Sequence, residues 1–136
     1  MLNVGIVGAA GYAGAELVRI VLRHPELKLC VATSNSDAGY LLSSVYPAFT
    51  GVTDLAFSKH DDPALFDCDI VFLATPHTVA MKSAPGLLEA GVTVVDLSAD
   101  YRLRDRATYE KWYKVTHTSP ELLAMATFGL PELNRD

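Results

Sequence analysis

GIVGAAGYAGAEL, residues 5–17, runs from the end of an apolar stretch through glycines at 8, 11 and 14 into a helical pattern. A helix N-terminus leaves several backbone N–H groups unpaired and carries a partial positive charge, so a strand turning tightly into a helix can cradle a pyrophosphate. Glycine suits such a turn because it adopts backbone angles that other residues avoid. It also has no Cβ to hold the backbone off a phosphate, or a helix off a strand. The spacing is Gly-x-x-Gly-x-x-Gly, one residue longer than the common Gly-x-Gly-x-x-Gly. A tight turn with no ligand would read the same, but the position inside a first βαβ unit favours the cradle. Gly8, Ala10, Gly11, Tyr12, Ala13 and Gly14 are therefore candidate cofactor contacts.

Leu2–Val7 is a short continuous apolar run, as expected of a strand buried on both faces. Gly14–His24 follows with Leu17, Ile20 and Val21 at helical spacing, and Pro25 ends it. Leu27–Thr33, Asp69–Ala74 and Val92–Leu97 read as further strands, with Val52–Phe57 a weaker one. A helical stretch from His77 to Ala90 is interrupted at Pro85, which would open a second helix, and it closes at Gly91. A short helix is expected from a cap at Asp105 to Tyr113, with Tyr109, Trp112 and Tyr113 packing on one face. Another would start at Ser119-Pro120-Glu121, with Ser119 as its cap. Strands alternating with helices give an α/β fold: a Rossmann-type, doubly wound, mostly parallel sheet in one domain spanning residues 1–136. Ser34–Gly51 departs from this rhythm. It is a long Ser-, Gly- and Asn-containing connection carrying Tyr40, Tyr46 and Phe49, of a length that is functional or disordered in most compact domains.

Composition narrows the function classes. Half of the 136 residues are apolar, enough for one packed core, and the net charge of −5 argues against a nucleic-acid partner. No apolar run approaches the ~20 residues a membrane helix needs, so no membrane partner is expected. MLNVGIVG reads as a strand rather than a signal peptide, and the expectation is a soluble cytoplasmic domain. Cys30 and Cys68 are too few for a disulfide framework and lack metal-ligand spacing, so no metal is expected. Both lie at strand patterns and read as buried small hydrophobes, because reactive thiols need an electropositive, accessible setting. No catalytic residue is assigned. His24, His60 and His117 show no partner pattern and default to surface or capping roles.

The end of the second strand bears on the choice of dinucleotide. An NAD site usually places an acid about 20 residues past the glycines to bind the ribose hydroxyls. Here Ser34 and Asn35 fall at that point and Asp37 comes slightly late. Neutral donors avoid repelling a 2′-phosphate, which favours NADP over NAD. No Lys or Arg occurs between Lys28 and Lys59, so Arg19, Arg23 or backbone donors would have to help. Ala74-Thr75-Pro76-His77 and Ser98-Ala99-Asp100-Tyr101-Arg102 follow the next two strong strands, where ligands bind in open parallel sheets. His77 reads equally as a cofactor contact or as a helix-start residue bonded to backbone.

GAAGYAGAEL, DIVFLATPH, VVDLSADYRL, YEKWY and FGLPELNR, in that order, closely resemble the N-terminal part of the N-acetyl-gamma-glutamyl-phosphate reductase family of arginine biosynthesis. The match covers essentially the whole chain. The carrier-protein-linked aminoadipate/glutamate phosphate reductases share these blocks, while aspartate-semialdehyde dehydrogenase shares the architecture but fits DLSAD less well. The resemblance implies that NADPH reduces an acyl phosphate to a semialdehyde by way of a cysteine thioester. It places Ala74, Thr75 and Pro76 beside the cofactor path and Ser98 and Ala99 near the nicotinamide half. It makes Arg102 a candidate anchor for the substrate phosphate, a task that suits a planar guanidinium. The competing reading of Arg102 is an ion pair with Asp100 or Asp105. The family's nucleophile lies in a Gly-Cys-Tyr-Pro-Thr stretch downstream of FGLPELNR, which this chain does not contain. The isolated chain is thus expected to bind cofactor without turning over and to self-associate or form a homo-oligomer through apolar surface. The rival from another class is a non-catalytic dinucleotide-binding module on the same fold.

Overall fold

A computed structural model describes residues 1–132; residues 133–136, the end of the FGLPELNR block, lie outside the described residues. Strands β1 (Leu2–Val7), β2 (Leu27–Thr33), β3 (Ile70–Leu73) and β4 (Thr93–Asp96) form one sheet in the order β2-β1-β3-β4. Every pairing in it is parallel. Successive strand residues face opposite sides of a sheet, and the apolar runs fill both sides. On one side Val4 and Ile6 of β1 and Ala32 of β2 pack with Val18 and Val21 of helix α1 (Tyr12–Val21). On the other, Val7, Val71 and Leu73 pack with Ala80, Ala84 and Leu87 of helix α3 (Ala80–Glu89). The sheet is therefore doubly wound, as the alternation of patterns predicts.

Several local expectations are corrected. Val52–Phe57 is not a strand; its neighbourhood contributes only isolated bridges, Leu41 to Ala56 and Thr33 to Ser58. The long connection holds a single helical turn, α2 (Leu42–Val45), and a 3₁₀ turn (Pro47–Phe49), whose Leu42 and Phe49 join the core. Pro85 does not divide the helix, and α3 runs through it. A proline at that position leaves the carbonyl four residues back without its N–H donor. That carbonyl, on Met81, instead accepts from the Ser119 hydroxyl at 2.8 Å and the Thr118 hydroxyl at 3.3 Å. Ser119 consequently does not cap the 3₁₀ turn Pro120–Leu122. Helix α4 (Arg106–Tyr113) is capped as expected, with the Asp105 carboxylate accepting from the Thr108 N–H at 2.8 Å. Tyr109 of α4 is buried and stacks on Tyr113 at 4.8 Å between ring centres, but Trp112 is exposed rather than packed.

Candidate functional site

The topological switch point, where an open parallel sheet binds ligands, falls between β1 and β3. The glycine turn sits there. Gly8 has φ +82°, and a Cβ on it would stand 2.5 Å from the Ala74 carbonyl oxygen at the end of β3. A Cβ on Gly14 would stand 2.1 Å from the Gly8 carbonyl oxygen and 2.7 Å from the Ala9 Cα. Those two glycines are required by the protein's own backbone. Gly11 differs: its φ is −74°, and the nearest atom to an added Cβ is 3.5 Å away. It is exposed at the N-cap of α1, so the helix opens at Tyr12 rather than at Gly14. No side chain caps this end, and the amides of Tyr12, Ala13 and Gly14 take no partner among the described residues. Tyr12 lies fully in solvent and Ala13 is exposed, so what they offer a ligand is backbone. Ala10 contributes a carbonyl that is held from outside the turn, by the Tyr46 hydroxyl.

The other carboxyl ends lie along the same edge, which at ~4.8 Å per strand extends roughly 15 Å from β2 to β4. Beyond β2, Ser34 is buried and its hydroxyl is committed to Asp37, at 2.6 Å. The Ser34 and Ser36 hydroxyls together hold the Asp37 carboxyl below the usual range. Asn35 is exposed; its Oδ1 accepts from the His60 N–H at 3.0 Å, which leaves the side-chain NH2 without a partner among the described residues. Arg19 and Arg23 do not reach this point. Arg19 pairs with Glu16, and both arginines line a separate groove with Tyr46 and Phe49. Beyond β3, Ala74 is half-buried and Pro76 and His77 are exposed, with the His77 ring 6.0 Å from that of Tyr113. Thr75 is buried and its hydroxyl has no hydrogen-bond partner among the described residues. A buried, unbonded hydroxyl beside Gly8 is an unusual cost unless a ligand supplies the partner.

Beyond β4, the Ser98 hydroxyl donates to Asp96 at 2.9 Å and accepts from the Asp100 N–H at 3.1 Å. Its N–H is also bonded to Asp96, so both donors of Ser98 are committed and it offers a ligand acceptors, chiefly its carbonyl. Ala99 is half-buried and closes a turn by accepting from the Arg102 N–H at 3.2 Å. Arg102 is exposed, and the ion pair that would tie it to Asp100 or Asp105 is absent among the described residues.

The profile of the semialdehyde dehydrogenase NAD binding domain matches residues 3–136. The chain belongs to this family. Over its full length it is 55% identical to an N-acetyl-gamma-glutamyl-phosphate reductase of Herminiimonas arsenicoxydans and 52% identical to that of Laribacter hongkongensis. The Neisseria meningitidis reductase is 50% identical over 99% of the chain. The chain spans about two-fifths of the length of these curated relatives, 39–40%. Among solved structures it resembles an aspartate semialdehyde dehydrogenase with NADP from Candida albicans, TM-score 0.66 at 22% identity, over 78% of this chain and 32% of that one. It also resembles aspartate semialdehyde dehydrogenase II of Vibrio cholerae, TM-score 0.57 at 22% identity, over 75% and 32%. These likenesses establish the fold.

The residues of this NAD binding domain fit a dinucleotide in three respects: unpaired amides on the first turn of α1, an unfilled place for a Cβ at Gly11, and the unbonded Thr75 hydroxyl. Three supporting residues escape a reading of spacing alone. Tyr46 reaches from the long connection to the glycine turn. Asp100 is wholly buried and accepts from the N–H groups of Thr78 and Met81, at 2.8 and 2.9 Å, and from the Tyr109 hydroxyl at 2.8 Å. Burial, reinforced by Asp100, raises the Tyr109 pKa far above the ordinary phenol range. His117 is buried rather than superficial. Its Nε2 donates to the Asp100 carbonyl at 2.7 Å while its Nδ1 accepts from the Ser119 N–H at 3.2 Å. Together these groups brace the β4 turn carrying Ser98 and Ala99 against the start of α3.

Neither cysteine is placed as a nucleophile. Cys68 is buried, and desolvation first, then the nearby Cys30 and three aspartates, pushes its thiol up to about 11. Cys30 is half-buried rather than fully so, with its thiol directed at the Asn3 side chain at 3.3 Å.

Proposed function

We propose that this domain binds NADP(H) and presents it within a longer reductase that converts N-acetyl-glutamyl phosphate to the semialdehyde in the cytoplasm. The observation that carries the reading is the identity of 50–55% with N-acetyl-gamma-glutamyl-phosphate reductases over 99–100% of the chain. The pyrophosphate would lie on the Tyr12, Ala13 and Gly14 amides, with Gly11 giving it room and Thr75 supplying a hydroxyl. The adenosine end would extend past Ser34 and Asn35, and the nicotinamide end toward the carbonyl of Ser98 and the amide of Ala99. The bound nicotinamide supplies a hydride. Arg102, unpaired and next to that end, would anchor the phosphate of the acyl phosphate. The resemblance implies a cysteine nucleophile that forms a thioester, and neither Cys30 nor Cys68 suits that role.

The 136-residue chain should therefore bind NADPH yet leave it unoxidised with N-acetyl-glutamyl phosphate, as read by absorbance of the reduced nicotinamide. Turnover by this polypeptide that is abolished in Cys30→Ser or Cys68→Ser would overturn the assignment.

We further propose that the isolated domain self-associates. Val95, Leu97, Trp112 and Met125 are large apolar side chains left 40–75% exposed on and after β4. Apolar surface of this kind favours association. Sedimentation should show an average mass rising with concentration, and a clean monomer at high concentration would refute this.

A further inference from the structure

The fold supplies a cation where the sequence shows none. Residues 58–60 run beside the end of β2: the Ser58 N–H donates to the Ala32 carbonyl at 3.0 Å, and the Ser34 N–H donates to the Ser58 carbonyl at 2.8 Å. The His60 N–H continues this pairing to the Asn35 side chain, and the His60 ring is held by the Thr33 hydroxyl at 2.7 Å. The result is an open cavity of about 470 Å³ lined by Asn35, Lys59, His60 and Asp61. It lies beyond the carboxyl end of β2, where the adenosine ribose of a bound dinucleotide is recognised.

We propose that Lys59 binds the 2′-phosphate of NADP(H) in this cavity, alongside the NH2 group of Asn35; this rests on the reading that the glycine turn holds a dinucleotide. Lys59 is exposed and pairs with no carboxylate among the described residues. Burial keeps the half-buried His60 ring below its ordinary pKa, so the lysine is the cation of the cavity. The carboxylate lining the cavity is Asp61; Asp37 is not among the lining residues, and its Oδ2 is already bonded to the Ser34 and Ser36 hydroxyls. Asp61 is the group that would instead serve the free ribose hydroxyls of NAD, so the balance between Lys59 and Asp61 sets the preference.

Calorimetric titration of NADPH and NADH into the wild type, Lys59→Met and Lys59→Arg tests this. Lys59→Met should weaken NADPH binding roughly tenfold, the scale of one lost charge-assisted contact in a partly exposed site, and leave NADH binding within about twofold. Lys59→Arg should retain the NADPH preference. If the wild type binds both nucleotides and Lys59→Met shifts them equally or not at all, the proposal fails and the dinucleotide reading stands. If Asp61→Asn weakens NADH and the wild type prefers NADH, the cavity reads NAD and the proposal is likewise overturned. Should the wild type bind neither nucleotide, the dinucleotide reading falls and the Lys59 assignment with it.

Discussion

Gly14→Ala is expected to destabilise the domain by about 3 kcal/mol and to lower its melting temperature by roughly 10 °C. In an exposed helix, alanine for glycine would gain about 1 kcal/mol. Here the new methyl would stand 2.1 Å from the Gly8 carbonyl oxygen and within 3 Å of two Ala9 backbone atoms. Backbone cannot rotate away as a side chain can, so either the first turn of α1 lifts off the glycine turn or the turn itself opens. Both outcomes disperse the amides of Tyr12, Ala13 and Gly14, so cofactor binding should fall together with stability. Gly11→Ala should behave oppositely, with stability within about 1 kcal/mol of wild type, since alanine is only a poorer N-cap than glycine. Thermal unfolding followed by circular dichroism separates the two. A Gly14→Ala protein that melts with the wild type would contradict the packing described at the turn.

Asp100→Ala should cost about 3–5 kcal/mol, because it strips the partner from two backbone N–H groups and one buried phenol at once. Thr78, one of those partners, is held at φ +79°, a conformation that a threonine adopts only when its surroundings impose it. The N-terminus of α3 also loses the carboxylate that its dipole favours. Asp100→Asn keeps the shape and can keep the bonds from Thr78 and Tyr109 on its oxygen. It then turns its NH2 toward the Met81 N–H, so its loss should fall between wild type and alanine. Denaturant unfolding of the three proteins reads the order directly. An Asp100→Ala variant within about 0.5 kcal/mol of wild type, the range of an ordinary surface change, would remove Asp100 from its bracing role.

The elements that follow from local chemistry are legible in the sequence. Val4–Val7 and Ile70–Ala74 are apolar without interruption because their strands are covered on both faces, and Asp105 announces α4 through a bond only three residues long. What is not legible depends on partners distant in sequence. Pro85 reads as a break because nothing nearby shows that Ser119, thirty-eight residues from Met81, will take up the freed carbonyl. His117 shows no pattern because its partners, Asp100 and Ser119, meet only once α3, α4 and the β4 turn have packed. Val52–Phe57 carries the composition of a strand, but the chain meets the edge beyond β2 at isolated bridges. The candidate site divides the same way. The glycine turn could be located from spacing, whereas the distinction between Gly11 and its two neighbours in the motif requires the backbone around each.

That distinction separates a turn built around a ligand from one built only around itself. Calorimetric titration of NADPH into the wild type and Gly11→Ala tests it most directly. Saturable binding to the wild type is expected, with a loss of at least about tenfold in Gly11→Ala at a stability within about 1 kcal/mol of wild type, because the methyl would occupy the place of the pyrophosphate. Equal affinity in the two proteins, or no binding to a folded wild type, would contradict it.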